Sequence, residues 1–389
     1  MTASRPTHWT KKALLALASF AIALLLLEAG SFLLGRFDPP KDPLQSKYVI
    51  AGMGQYDHRL FWTLRPGATD EDGQPWINSD GLRGPEIEPK ASQEYRILSL
   101  GESTTFARRL EYPDCYSARI EARLPALWET QRPVRVINAG VPAYSVFQGY
   151  QYLRQAGLGL EPDMVLLYFG HNDSLPVSFL NNRASIWRGE KRTMNDWELY
   201  RSRQSLPGRI SEFLMDRSNA YRGLIQWSSG SGATKADAEP GADVDADPDA
   251  DPDIGGEPAT APSEPAPDPT PDDPPSDTDE VIEPRVPTEQ RRQVLTLIDE
   301  LCRERGIPLV IIVPWYRDKD AHAPLLREFA AANKVPVVDL PTLIPSRLSD
   351  PHESYFSDPV HPTSAGHALI AEAILETLAE LNPVRKAGL

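Results

Sequence analysis

The sequence predicts an α/β protein whose core is a doubly wound, flavodoxin-like parallel sheet of strand order 2-1-3-4-5, with helices on both faces. From Tyr95 onward, short apolar runs rich in β-branched residues alternate with stretches of helical period. Most of these runs lack polar alternation, which is typical of parallel strands buried on both faces. Right-handed crossovers between consecutive strands then place helices on both sides of the sheet.

Five apolar runs are the candidate strands, and three other stretches keep a helical period. The candidate strands are residues 96–100, 134–138, 164–169, 308–313 and 335–340. The helical periods are carried by Tyr116, Ile120, Leu124 and Leu127, by Val294, Leu297, Ile298 and Leu301, and by Ile370, Ile374, Leu378 and Leu381. Cys115 and Cys302 fall on helices expected on opposite faces of the sheet, so we predict two buried free thiols rather than a disulfide.

Residues 13–35 form an apolar run interrupted only by Ser19, Glu28 and Ser31. The run is long enough to cross a bilayer as a helix, which predicts a transmembrane anchor. Basic residues precede it, so residues 1–12 are expected in the cytoplasm and the rest of the chain outside the cytoplasmic membrane. A cleaved signal peptide is the alternative, but the run is long for one and lacks a small-x-small cleavage site.

The remaining chain divides by composition. Residues 36–92 are rich in turns and aromatics and predict an extracytoplasmic extension. The α/β pattern occupies residues 93–228 and 284–389, with 174–227 as a cap insertion beside the site. The linker at 229–283 is rich in Asp, Pro, Ala and Gly and is expected to be disordered.

The charge of the chain is concentrated in that linker. Its 17 acidic residues and single lysine account for the net charge of −15, so the rest of the chain is close to neutral. No basic patch indicates a nucleic-acid partner. The alternating aspartates at 243–253 lack the glycine and glutamate that an EF-hand loop needs, so we expect no metal site.

Polar or small residues follow the first three candidate strands, where ligands bind in a doubly wound sheet. Ser103 comes after the first strand, Gly140 ends the second, and Asn172 follows the third. Each alone fits an ordinary turn, and a Ser-Thr-Thr run also fits a phosphate-binding loop. Trp315, just past the fourth strand, is a candidate for stacking on a sugar ring, although a tryptophan there is more often part of the core.

Asp358 and His361 lie three residues apart near the C-terminus. Pro362 biases the backbone of His361 away from the helical region. The Asp358 carboxylate is then close enough to accept a hydrogen bond from His361 Nδ1 and to fix the tautomer of the ring. A neutral histidine held in this way is suited to act as a general base near neutral pH.

These segments together resemble the sequence blocks of SGNH hydrolases, the family of GDSL esterases and lipases. The resemblance covers residues 95–173 and 284–380, and its blocks are Gly101-Glu102-Ser103, Gly140 in Asn-Ala-Gly-Val-Pro, Gly170-x-Asn172-Asp173, and Asp358-x-x-His361-Pro. It implies Ser103 as nucleophile, His361 as base and Asp358 behind it. It also implies an oxyanion hole formed by the backbone N–H groups of Ser103 and Gly140 and the side chain of Asn172. Glu102 stands where the family name has aspartate.

The N-terminal anchor and the segment 78–85 resemble membrane-anchored bacterial members of the family. The sequence therefore predicts a serine esterase in the bacterial cytoplasmic membrane with its catalytic domain on the periplasmic side. The expected substrate is an acetyl ester on an envelope polysaccharide, and no cofactor is expected. One alternative is an O-acyltransferase that uses the same triad. A second is a non-catalytic module that binds carbohydrate or a protein partner.

Overall fold

The computed structural model describes residues 53–69, 76–177, 194–218, 220–221, 283–317, 323–349 and 351–382, together with separate helical positions between residues 12 and 30. The chain forms two compact units. The first comprises Met1–Ile87 with Ser178–Ala242, and the second comprises Glu88–Val177 with Asp243–Leu389.

Seven strands and ten helices are labelled here in chain order. The strands are β1 (Gly54–Asp57), β2 (Phe61–Leu64), β3 (Tyr95–Gly101), β4 (Val134–Gly140), β5 (Met164–Tyr168), β6 (Leu309–Val313) and β7 (Val337–Asp339). The helices are α1 (Ser103–Phe106), α2 (Tyr116–Leu127), α3 (Val146–Gln155), α4 (His171–Ser174), α5 (Asp196–Gln204), α6 (Leu206–Arg217), α7 (Thr288–Glu304), α8 (Ala323–Asn333), α9 (Leu340–Leu343) and α10 (Ser364–Leu381).

The second unit is built on a five-stranded parallel sheet of order β4-β3-β5-β6-β7. Counted along the chain within this sheet, the order is 2-1-3-4-5. The last strand is shorter than the predicted 335–340, because helix α9 begins directly after it at Leu340 with a proline in its first turn. An antiparallel pair of short strands, β1 and β2, belongs to the first unit and lies within the predicted extension.

Helices cover the sheet and bury its apolar strands. Helices α2 and α10 pack on each other, and their predicted apolar faces join strand residues in one core cluster. Leu127 is the exception, since it lies at the end of α2 and is exposed. Helix α7 packs on both α3 and α8. Thr363 caps α10 through a hydrogen bond from Gly366 N. Cys115 and Cys302 are buried free thiols.

The two ends of the insertion between β5 and α7 lie side by side. Pro176 and Pro284 form an isolated antiparallel bridge. Val177 N donates to Glu283 O at 2.9 Å, and Arg285 N donates to Leu175 O at 2.8 Å. The two ends of the insertion therefore form one narrow base in the second unit.

Several predicted segments lie wholly or partly outside the described residues. They are the tail at 1–12, the anchor at 13–35, the first part of the extension at 36–92, part of the cap at 174–227 and almost all of the linker at 229–283. In the part of the chain that the structure describes, no helix is both long enough and apolar enough to span a membrane.

Candidate active site

Ser103 lies at the carboxyl edge of the sheet, in the sharp turn from β3 into α1. Gly101 permits this turn, since a Cβ there would lie 1.9 Å from Thr105 Oγ1. Ser103 is 9% exposed and lines a cleft that opens to solvent. The other lining residues are Thr104, Ala107, Arg108, Arg109, Leu110, Ser357, His361, Pro362 and His367.

A continuous chain of hydrogen bonds joins Ser103, His361 and Asp358. Ser103 Oγ is 2.8 Å from His361 Nε2, and His361 Nδ1 is 2.7 Å from Asp358 Oδ2. With Nδ1 protonated and donating to the carboxylate, Nε2 is left as the acceptor for the Ser103 hydroxyl proton. The structure thus brings together three residues, the first and last of which are 258 positions apart in the sequence.

Asp358 is held as a carboxylate by its surroundings. Burial alone would raise its pKa, but the hydrogen bond and charge of His361 and the N–H groups of Val360 and His361 outweigh it and lower the pKa to about 2. The two N–H groups bind Oδ1, at 2.9 and 2.8 Å. Arg109 Nη1 lies 3.1 Å from Oδ2, a contact that the sequence analysis missed. Asp358 therefore stays ionised at any pH at which an ester can be assayed.

Two hydrogen-bond donors at this edge agree with the predicted oxyanion hole. Ser103 is the first residue of helix α1, and its N–H donates to no acceptor among the described residues. Asn172 is buried at the start of α4, and its Nδ2 donates one hydrogen to Glu102 Oε2 at 2.8 Å. The amide nitrogen carries a second hydrogen, which that bond leaves available.

Gly140 does not have the predicted role. Its N–H donates to Asn138 Oδ1 at 3.0 Å, so it is already satisfied. Gly140 is required for packing instead, because a Cβ there would lie 2.3 Å from the backbone nitrogen of Phe106. The predicted oxyanion-hole role of Gly140 is therefore corrected. The glycine is needed because β4 and α1 are in close contact, and its N–H is already bonded to the side chain of Asn138.

Ala143, three residues further on, is the better donor in this loop. It has a φ of 61°, a left-handed conformation that is uncommon for a residue with a side chain. Its N–H has no acceptor in the described ranges, and its carbonyl accepts from the buried Arg285 Nη1 at 2.7 Å. Pro142 signals a turn here, but an alanine in place of the usual glycine hid the special backbone from sequence analysis.

Glu102 supports Asn172 from beneath the site. Its Oε2 accepts from Asn172 Nδ2, and its Oε1 accepts from the Tyr316 hydroxyl at 2.9 Å. The Tyr316 oxygen in turn accepts from His171 N at 2.8 Å. The two carboxylate oxygens of Glu102 therefore hold one partner each. Tyr316 is a supporting residue that sequence analysis missed, because it lies 214 positions from Glu102 and no local signal pairs the two.

The carboxyl of Glu102 is strongly perturbed. Burial, followed by the negative charge of Asp173, raises its pKa from 4.5 to about 7, against the lowering effect of the bonds from Tyr316 and Asn172. The folded state therefore binds a proton more tightly than the unfolded state does. The stability that this group contributes is fully present below about pH 4.5 and is lost as pH rises through about 7.

We expect the free energy of unfolding of the parent protein to fall between pH 5 and pH 8 by about 3 kcal/mol more than that of Glu102→Gln. Urea denaturation at the two pH values measures both slopes. Glutamine does not titrate. Any pH-independent loss of stability from disturbing Asn172 or Tyr316 is therefore the same at both pH values and does not affect the difference between them. Equal slopes in the two proteins would show that Glu102 is ionised throughout this range.

Trp315 is a core residue and not a sugar-stacking one. It is 2% exposed, with its ring centroid 4.5 Å from Phe356 and 5.3 Å from His352. The residues that cover it come from a loop more than thirty positions away, which the local sequence does not reveal. His367 is also structural: burial lowers its pKa to about 3, and its Nδ1 accepts from Tyr116 N at 3.2 Å.

Within the described ranges, no group of three or more His, Cys, Asp or Glu side chains is arranged to hold a metal ion.

Replacing Asn172 by alanine is expected to lower kcat for an ester by about 10²–10³-fold with little change in KM, since the amide would stabilise charge that develops only in the transition state. Steady-state kinetics on the parent and variant measure this. A raised KM with unchanged kcat would instead make Asn172 a ground-state binding residue.

The fold and the site define a class of protein. A parallel sheet of this order carries a serine after its first strand, an asparagine after its third and an Asp–His pair before its last helix. This is the architecture that the resemblance to SGNH hydrolases implies, and the structure has it.

Comparisons with known proteins give similar folds at low identity. No protein-family model matches the sequence, and no curated protein matches it significantly. A lipase/acylhydrolase from Enterococcus faecalis is 16% identical, with 74% of this chain and 96% of that chain covered and a TM-score of 0.38. An α/β hydrolase from the metagenome of Lake Arreo, Spain, is 18% identical, with coverages of 75% and 97% and a TM-score of 0.38. An acetylxylan esterase from Geobacillus stearothermophilus is 15% identical, with coverages of 73% and 94% and a TM-score of 0.37. The functional assignment depends on the arrangement of this chain's own residues.

Proposed function

We propose that the protein is a serine esterase that hydrolyses short acyl esters through an acyl-enzyme on Ser103. One observation carries the proposal: the unbroken hydrogen-bond chain from Ser103 Oγ through His361 to Asp358, at the carboxyl edge of the sheet and open to a cleft. A nucleophile, a base and an orienting carboxylate in hydrogen-bond contact are the parts that acyl transfer needs.

The geometry supports a two-step reaction. Ser103 Oγ attacks the ester carbonyl carbon while its proton passes to His361 Nε2. The carbonyl oxygen becomes an oxyanion that the N–H groups of Ser103 and Ala143 and the amide of Asn172 are suited to stabilise. The bond to the alcohol breaks, and His361 returns the proton to the departing oxygen. Water then attacks the acyl-serine by the same steps and releases the acid and free Ser103.

The cleft favours a small acyl group. Its apolar lining near Ser103 comes from Ala107, Leu110 and Pro362, which supply limited contact surface. An acetyl ester is therefore the proposed substrate class, carried by a carbohydrate of the cell envelope. Residues 13–35 would anchor the chain in the cytoplasmic membrane and place the catalytic domain on its outer side.

Two assays on the full chain test this proposal. Hydrolysis of aryl esters with acyl chains of increasing length should be fastest for acetate, and mass spectrometry should find the acyl group on the peptide containing Ser103. Incubation with an acetylated donor and an unmodified oligosaccharide distinguishes the alternatives. Transfer to the sugar in excess of hydrolysis would indicate an O-acyltransferase, and binding without turnover or labelling would indicate a non-catalytic module.

A further inference from the structure

Helix α6 in the first unit presents an apolar stripe to solvent. Leu206, Ile210 and Phe213 are 71%, 50% and 55% exposed. Their spacing of four and then three residues places them on one face of the helix. Exposed apolar faces of this kind mark sites of interaction with a membrane or a partner.

Contacts at its start and along another side hold α6 in place. The Ser205 side chain caps the helix through Gly208 N. A Cβ at Gly208 would lie 2.0 Å from Ser202 O, so the glycine permits close packing of α6 on α5. On another side of α6, Ser211 Oγ accepts from the Tyr221 hydroxyl at 2.8 Å.

A second exposed apolar segment is joined to the C-terminal end of α6. Leu25, Leu26 and Leu27, in the N-terminal apolar run, are 59–69% exposed. The next residue, Glu28, accepts hydrogen bonds from Ser218 Oγ at 2.6 Å and from Ala220 N at 3.1 Å. Ser218 is the residue at which α6 ends. The carboxylate therefore ties the end of α6 to the apolar run.

Glu28 also indicates the depth at which α6 sits. An acidic residue in the middle of a membrane span costs ~2.5–3.5 kcal/mol, and two hydrogen bonds offset part of that cost. Seven residues separate Glu28 from the outer end of the run at residue 35. In the proposed transmembrane anchor, seven residues would rise about 10 Å, which is the depth that interfacial helices reach.

Basic side chains border the stripe. Arg209 and Arg217 are exposed, and the Arg217 guanidinium lies 4.6 Å from the centre of the Phe213 ring. Arginines at the edge of an apolar face suit the phosphate layer of an anionic bilayer, where their stems stay in the apolar zone and their charges reach the headgroups. A second copy of the chain would match the stripe but would not account for its connection to the apolar run.

We propose that α6 is an interfacial helix, that Leu206, Ile210 and Phe213 enter the outer leaflet of the membrane, and that Glu28 positions the helix beside the anchor. The inference rests on the proposed anchor at residues 13–35 and is independent of the catalytic proposal. It adds a second membrane contact, which would fix the first unit against the bilayer surface.

Lipid quenching tests the proposal on the full chain in nanodiscs of phosphatidylethanolamine and phosphatidylglycerol. A fluorophore is attached to a cysteine introduced at Ile210, at Leu25 or at Leu127, and the native thiols are buried. Leu127 is the matched control, since it is an exposed leucine at the end of α2 in the second unit. Nitroxide on the lipid acyl chains should quench the probe at Ile210 at least threefold more than the probe at Leu127. Iodide in the buffer should show the reverse order.

Equal quenching by lipid at Ile210 and Leu127 would overturn the inference. The probe at Leu25 then distinguishes a failure of the anchor proposal from a failure of the α6 proposal. Quenching at Leu25 would show that the apolar run enters the membrane while α6 stays outside it. Protection of Ile210 from both quenchers would indicate a protein partner and would also overturn the inference.

The role of Glu28 has its own pair of variants. Glu28→Gln keeps an acceptor for Ser218 and should leave the quenching at Ile210 unchanged. Glu28→Leu removes both bonds and should reduce it at least twofold. Equal quenching in the two variants would remove Glu28 from the proposal.

Discussion

Replacing Ser103 by alanine is expected to lower kcat for aryl acetate hydrolysis by a factor on the order of 10⁶. In the proposed mechanism the hydroxyl oxygen of Ser103 forms the acyl bond, and its hydrogen bond to His361 Nε2 at 2.8 Å would activate it. The variant should fold normally, because removing one hydroxyl from the rim of an open cleft leaves no buried cavity. It should also lose all labelling by an organophosphorus probe.

The matched control is Ser357→Ala. Ser357 lines the same cleft, and its hydroxyl donates to the carbonyl of His361 at 3.0 Å, so it has similar chemistry without contact to the base nitrogen. We expect its kcat to stay within tenfold of the parent. If Ser103→Ala kept parent-like turnover, a direct attack by water or another nucleophile would have to replace the acyl-enzyme.

The second large effect is expected for Asp358→Asn, which should lower kcat by about 10⁴-fold while leaving the fold intact. Oδ1 of Asp358 accepts from the backbone N–H groups of Val360 and His361, so the asparagine must keep its oxygen there. Its NH₂ group then faces His361 Nδ1 and can only donate to it. Nδ1 then has to act as the acceptor, so the ring proton moves to Nε2. A protonated Nε2 can no longer accept the proton of the Ser103 hydroxyl.

Arg109→Gln separates the tautomer effect from a general loss of charge. Arg109 contacts the same Oδ2 atom, but its side chain is 44% exposed, so solvent screens the pair. We expect a change of less than tenfold in kcat. Comparable losses of kcat in Asp358→Asn and Arg109→Gln would mean that the Asp358 carboxylate acts through its contact with Arg109 and not by fixing the tautomer of His361.

The sheet and the Asp358–His361 contact were accessible from the sequence because their signals are local, whereas the pairing of His361 with Ser103 was implied by the resemblance to SGNH hydrolases. Buried parallel strands appear as apolar runs, and residues that follow such runs must meet at one edge of the sheet. Asp358 and His361 are three residues apart, so their contact needs no knowledge of the fold.

Other features depend on contacts that the sequence does not display. The donor of Gly140 is lost to Asn138 because that side chain folds back on its own strand, which no spacing rule predicts. Ala143 takes an unusual backbone conformation with its carbonyl held by Arg285, a residue from beyond the insertion. Trp315 is buried by a loop that arrives much later in the chain. The conformation of Ala143 and the burial of Trp315 depend on long-range packing, whereas the Asn138 bond is local and depends on the conformation of its side chain.

The narrow base of the insertion between β5 and α7 has a consequence for how this chain tolerates change. A backbone hydrogen bond joins Val177 to Glu283, so the two ends of the insertion are neighbours in the second unit whatever segment lies between them. The entropy cost of closing a loop rises only slowly with its length. We therefore expect that the intervening segment can be lengthened, shortened or exchanged while the geometry around Ser103 stays the same.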